Sequence, residues 1–195
     1  MVRYFRYPMM LFKELFKSRK DEILSFPQIG WTLTIPMKFQ LVSAKKINQM
    51  SERGAALLEA KTGEKVKNPA LNHLFLANYQ AAHVITCSIA NLNDQSKDEW
   101  QMYNDNYAKA YEKLLNLRYN EFARVSIQAE KDLRQKGELI FDIYSLTVST
   151  PTRLLRKICF YNGIHKNFGV NITMAFSDEK IGEEMLEILR KSTFE

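Results

Sequence analysis

Residues 138–194 read ELIFDIYSLTVSTPTRLLRKICFYNGIHKNFGVNITMAFSDEKIGEEMLEILRKSTF, and the reading of this stretch decides the fold. Ile140, Asp142, Tyr144, Leu146 and Val148 alternate with Phe141, Ile143, Ser145, Thr147 and Ser149. The first set is mostly apolar and the second mixed, with many β-branched and aromatic residues, which predicts a strand. Pro151 has no N–H to give to a ladder and ends it. A second run places Leu154, Ile158, Phe160 and Ile164 on one side, with Arg153, Leu155, Lys157, Cys159 and Tyr161 on the other. A third alternates Val170, Ile172, Met174 and Phe176 with Asn171, Thr173 and Ala175. Between them, Asn162-Gly163 and His165-Lys166-Asn167 carry hairpin-turn chemistry. Ser177 and Asp178 then suit a helix N-cap, with acidic residues in the first turn. Ile181, Met185, Leu186, Ile188 and Leu189 follow at helical spacing. The stretch therefore predicts antiparallel strands with a helix laid across them.

Upstream, the same signals recur. GWTLTIP (30–36) reads as a short strand with Trp31, Leu33 and Ile35 on one face, closed by Pro36. Ser43 opens a helix running to about Lys61, with Ile47, Met50, Gly54, Leu57 and Leu58 as its inward stripe and Gly63 as C-cap. Glycine in mid-helix costs roughly 1 kcal/mol against alanine, so a close helix-to-sheet approach is expected at Gly54. Strands follow near 73–80 and 83–92. Ser96 and Glu99 have capping-box spacing and start a helix carrying Trp100, Tyr103, Tyr107, Tyr111, Leu114 and Leu115 towards Tyr119. Residues 122–131 read as another strand, turning through Arg134 to Gly137 into the strand at 138.

With 195 residues, 46% hydrophobic and 26% charged, the chain is long enough for one domain with a sizeable core. The net charge of +6 is unevenly placed. Arg3, Arg6, Lys13, Lys17, Arg19 and Lys20 against Glu14 give residues 1–20 a charge of +5, so residues 21–195 carry +1. A nearly neutral body argues against nucleic-acid binding. The division is a basic amphipathic segment over 1–25 and one α+β domain over 26–195. The six basic side chains of that segment are the candidates for contact with an anionic membrane surface or an unidentified protein partner. Lys13 and Glu14 interrupt the apolar run that a secretory signal needs, and no stretch is long enough to span a bilayer. The expected location is cytoplasmic, with peripheral contact through residues 1–25.

Catalytic and metal chemistry find little support. Cys87 and Cys159 lie inside strand patterns without metal-ligand spacing and read as buried free thiols. His73 and His83 flank a hairpin and are expected as strand-end residues, while His165 is expected in a solvated turn. No phosphate-loop, dinucleotide or nucleophile-elbow motif occurs, and neither cofactor nor metal is expected. Asp142 is expected to pair with Arg153 or Arg156 across the sheet. Arg153, Arg156 and Lys157 read as guards of a sheet edge. The tyrosines at 103, 107 and 111 make a packing stripe or, alternatively, the wall of a pocket.

GWTLTIP, RGAALLEAKTG (53–63) and FSDEKIGEEMLEILRKSTF (176–194), in this order of elements, resemble the PsbP-like superfamily. That group takes in the PsbP subunit of photosystem II, the Ran-binding Mog proteins and bacterial DcrB-type lipoproteins. Many bacterial proteins close with a similar strand, acidic helix and Ser-x-Phe. The likeness covers about 26–195 and lacks the signal peptide and lipobox cysteine of the DcrB type. It implies an antiparallel sheet of six to seven strands with helices on its faces, and a binding or assembly role, with no residue roles to carry over. The leading expectation is a non-enzymatic binding or assembly module. The alternative is a small-molecule carrier or an enzyme with a pocket between the aromatic helix (100–119) and the sheet, lined by Tyr103, Tyr107 and Tyr111.

Overall fold

The computed structural model describes residues 20–63, 71–92, 96–119, 125–136 and 139–194. The elements in order are β1 (Glu22–Phe26), a 3-10 turn (Pro27–Ile29), β2 (Trp31–Ile35), β3 (Gln40–Leu41), α1 (Ala44–Thr62), β4 (Asn72–Tyr79) and β5 (His83–Asn91). α2 (Lys97–Tyr119), β6 (Ser126–Lys136), β7 (Leu139–Thr150), β8 (Arg153–His165), β9 (Phe168–Phe176), α3 (Glu179–Lys191) and β10 (Thr193–Phe194) complete them.

Seven strands form one antiparallel sheet in the order β3-β4-β5-β9-β8-β7-β6. β2 does not join it. It lies in a second, three-stranded sheet between β1 and β10. Residues 22–25, expected within the N-terminal segment, thus belong to a strand paired residue for residue with β2. Arg3, Arg6, Lys13, Lys17 and Arg19 lie outside the described residues, and Lys20 is exposed.

The small sheet and α3 cover one face of the large sheet, and α1 and α2 cover the other. On the α3 side, Trp31, Leu33 and Ile35 meet Phe75, Ile85, Phe141, Ile172, Met185 and Ile188 in the main core. On the α2 side, Ala108 and Leu115 pack against Leu146, Val148, Ile158 and Phe160. A sheet buried on both faces has no single apolar face, and β7 shows the consequence. Leu139, Phe141 and Ile143, on the set read as mixed, are buried under α3. Tyr144, Leu146 and Val148 lie under α2, while Ile140 and Asp142 of the same set extend past the helix and are exposed.

Several local expectations resolve differently. The β8–β9 turn is Lys166-Asn167, both with positive φ (46° and 63°). Asn162-Gly163 lies inside β8, where a Cβ at Gly163 would come 2.8 Å from Leu139 Cδ1 and 3.0 Å from the Ile140 carbonyl oxygen. The glycine therefore serves strand approach and not a turn. β6 runs straight through Arg134 to Lys136, where a turn was expected. Asp142 stands opposite Asn162, whereas Arg156 and Arg153 stand opposite Val148 and Thr150, so the expected pair is out of register. β8 is an interior strand, so its basic residues guard no edge. Arg156 instead donates to the Ala82 carbonyl oxygen. His165 is half-buried, edge-on to Phe194 at 5.7 Å, with Nε2 shielded from solvent.

Caps fall where the spacing placed them. Asp178 accepts from the Ile181 N–H (3.1 Å), and the Ser96–Glu99 box closes reciprocally at 3.1 and 2.9 Å. Ser43 precedes α1 without a side-chain cap, and Gly63 ends it at φ 70°. Among the described residues, no helix is long and apolar enough to cross a membrane.

Candidate functional site

α1 lies over β4 beside α2, which packs on β6, β7 and β8, and the two helices leave a cleft of about 180 Å3 above β4, β5 and β9. α1 contributes Ile47, Met50, Ser51, Gly54, Ala55 and Leu58. The period of four in α2 brings Tyr103, Tyr107 and Tyr111 to the opposite wall. The floor is mixed: His73, Thr86, Ser88, Asn171 and Thr173 of the strands line it beside Leu71 and Leu76.

Gly54 was expected to allow close contact between helix and sheet, and the structure shows the reverse. A Cβ there would meet no atom within 4 Å, and the space faces the cleft. The residue lowers helix propensity by about 1 kcal/mol relative to alanine, and the vacancy beside it belongs to the cleft. Ile47 and Leu58 hold α1 down, while Met50 and Leu57 are about half exposed and do not extend the buried stripe. Lys113 of α2 donates to the Thr62 carbonyl oxygen at 2.6 Å, which ties the C-terminal end of α1 to its neighbour.

The tyrosines form a ladder. Tyr103 stacks between Trp100 and Tyr107 at 5.9 Å each, and Tyr107 meets Tyr111 at 5.0 Å. Phe160 receives Tyr107 and Tyr111 on its edge at 5.7 and 5.5 Å. Burial pushes the hydroxyls of Tyr103 and Tyr107 well above the usual phenol range, with Tyr111 adding to both. They stay protonated. On the floor, His73 Nδ1 and Ser88 Oγ are 2.7 Å apart across β4 and β5. Asn171 donates to the buried Asn162 at 2.5 Å, and Thr173 donates to Asn171 at 3.1 Å. Desolvation lowers the His73 pKa, so the ring is neutral near pH 7.

The cleft is therefore an uncharged, hydrogen-bonding slot: none of its lining residues is Asp, Glu, Lys or Arg. Ser88 with His73 places a hydroxyl beside a ring nitrogen, the first contact of a nucleophile–base pair. The lining offers no carboxylate to orient that ring. His73 and His83 sit at opposite ends of the β4–β5 hairpin, opposite Ser88 and Tyr79 respectively, and do not form a pair. Among the described residues no cluster of three or more His, Cys, Asp or Glu is placed to hold a metal. Both thiols are buried, and desolvation raises their pKa.

The histidines set a pH dependence. Burial depresses the folded-state pKa of both His73 and His83, in the latter against the opposing charge of Asp178. The unfolded chain then takes up protons first, at about 6.5. Stability from these rings is complete above that value and is lost as pH falls below it towards the folded-state pKa. The urea midpoint should drop between pH 8 and pH 5.5, and the slope should flatten in the double variant His73→Gln, His83→Gln.

No protein-family model and no curated protein matches this chain in sequence. In structure it is similar to the solution structure of cyanobacterial PsbP (CyanoP) from Synechocystis sp. PCC 6803, with TM-score 0.53 and 7% identity. The match covers 92% of this chain and 95% of that one. The chain thus has the PsbP-like α+β fold, and at this identity the likeness speaks for the fold alone.

Proposed function

We propose that this PsbP-like chain is a non-enzymatic binding module whose α1–α2 cleft holds a small, uncharged, ring-sized ligand. The observation that carries the reading is Gly54, which leaves an opening beside the helix that a large side chain would occupy. A cavity of roughly 150 Å3 is enough for a benzene ring, so about 180 Å3 admits one ring with a polar substituent. Protonated phenols and a neutral imidazole supply donors and acceptors without charge, which favours a neutral guest over an ion. The basic side chains Arg3, Arg6, Lys13, Lys17, Arg19 and Lys20 supply the second contact of this proposal, to an anionic surface or an acidic partner.

The test uses the full-length chain with indole and phenol as probes, followed by thermal shift and NMR. Gly54→Phe should keep the melting temperature, since it improves helix propensity, and should abolish probe binding. Equal binding by the wild type and Gly54→Phe, or none by either, removes the cleft from the proposal. Covalent capture of a fluorophosphonate at Ser88 would move the cleft to the enzyme class. Sedimentation with phosphatidylserine vesicles, unchanged when the six basic residues are replaced by glutamine, would remove the segment's role.

A further inference from the structure

Among the described residues β6 is an edge of the large sheet, eleven residues long and exposed along nearly its whole length. Its residues on the α3 face, opposite Ser145, Ile143, Phe141 and Leu139 of β7, are Glu130, Asp132, Arg134 and Lys136. The order is acid, acid, base, base. Charged edge residues ordinarily keep strands from pairing with copies of themselves. This order does the opposite in one register. Laid antiparallel against itself with Leu133 opposite Leu133, the strand sets Asp132 against Arg134 and Glu130 against Lys136, each twice. Directly opposed residues of an antiparallel pair share a face, so these are direct cross-strand contacts between opposite charges.

The backbone agrees with that register. The Leu133 N–H donates to its neighbour's carboxylate, Asp132 Oδ1, at 2.8 Å. A carboxylate has no room between two paired strands, so the Leu133 amide and carbonyl face outward. Centring on Leu133 opposes it to its own copy, so the outward donor of each meets the outward acceptor of the other. The Asp132 carboxylate stands where the next strand would be. On the other face, the Leu133 side chain, 67% exposed, would be covered by its own copy. Lys136 already donates to the Arg190 carbonyl oxygen at 2.5 Å, and its ammonium keeps further protons for a partner carboxylate.

We propose that β6 is a self-pairing edge: two copies of this chain join antiparallel through it about a two-fold axis at Leu133, making one sheet continuous across both. The interface is isologous, so one substitution acts at two places. Sedimentation velocity of the full-length chain over a wide concentration range at low salt should show a reversible dimer that weakens as salt rises. Arg134→Asp should weaken dimerisation by about tenfold, through two attractions turned to repulsions. Adding Asp132→Arg to the same chain restores opposite charges at that pair and should recover the wild-type dimer constant, which a merely structural role for either residue would not do. Hydrogen exchange at the Leu133 amide should slow with rising concentration. A chain monomeric at every concentration, a dimer indifferent to Arg134→Asp, or protection confined to other strands each overturns the proposal.

Discussion

Replacing Trp31 with alanine is expected to destabilise the protein by about 3–5 kcal/mol, the usual cost of deleting a large aromatic side chain from a core. For a chain of this length that corresponds to a fall in melting temperature of about 10 °C. The ring is fully buried and joins three segments that are distant in sequence. It stacks on Phe194 of β10 at 5.2 Å and 6°, and meets Phe26 of β1 at 5.9 Å and Phe75 of β4 at 5.8 Å. Trp31 is thereby a central link between the small sheet and the large one, beside Leu33, Ile35 and the Phe26 ring that stacks on Phe75. Its removal leaves a cavity between the two layers and loosens the two-residue β10, which pairs with β2. Trp31→Phe isolates the cause. The indole N–H is buried without a hydrogen-bond partner, so phenylalanine loses area but also removes an unsatisfied donor. The phenylalanine variant should therefore lose much less than the alanine variant in thermal and urea melts. Equal losses would show that ring packing is not what holds the two sheets together.

The contrast between Trp31 and its setting shows how far the sequence carries. Trp31, Leu33 and Ile35 announce a half-buried strand by alternation alone, and all three are buried. That this strand belongs to a second sheet depends on pairing with Glu22–Phe26 and Thr193–Phe194. The first is too short, and too mixed in polarity, to show a period, and the second is two residues long. Turn chemistry misleads for a related reason. Asn-Gly is a strong hairpin signal, yet Gly163 is needed because Leu139 and Phe141 leave no room for a Cβ, and that demand comes from the neighbouring strand β7. Helix caps, by contrast, are local, and the Ser96–Glu99 and Asp178 caps lie where their spacing places them. The cleft divides along the same line. The tyrosine stripe is written in one helix, whereas its floor is assembled by the β4–β5–β9 register, and Gly54 stands out in the sequence without saying whether it admits a neighbour or leaves a space.

Gly169→Ala is expected to destabilise by about 1–3 kcal/mol through overpacking and, unusually for a strand substitution, to disturb the cleft. A Cβ at Gly169 would lie 2.5 Å from Cδ2 and Cε2 of Trp100, which rests flat on the β9 backbone. β9 is hydrogen-bonded on both sides, to β5 and β8, so the backbone has little freedom to yield. The ring must give instead. Trp100 stands in the first turn of α2, which the Ser96–Glu99 box fixes, and stacks on Tyr103 of the cleft wall. A tilted indole therefore transmits to Tyr103 and, through the ladder, to Tyr107. Gly182→Ala provides the control on the opposite face, where the added Cβ would run into the Phe176 ring under α3. Both variants should lose stability in urea melts, but only Gly169→Ala should also change probe binding in the cleft. A double-mutant cycle fixes the mechanism: in a Trp100→Leu background the methyl group has room, so Gly169→Ala should cost far less there. An undiminished cost in that background would place the strain in β9 itself, and the link from strand to helix to cleft would fail with it.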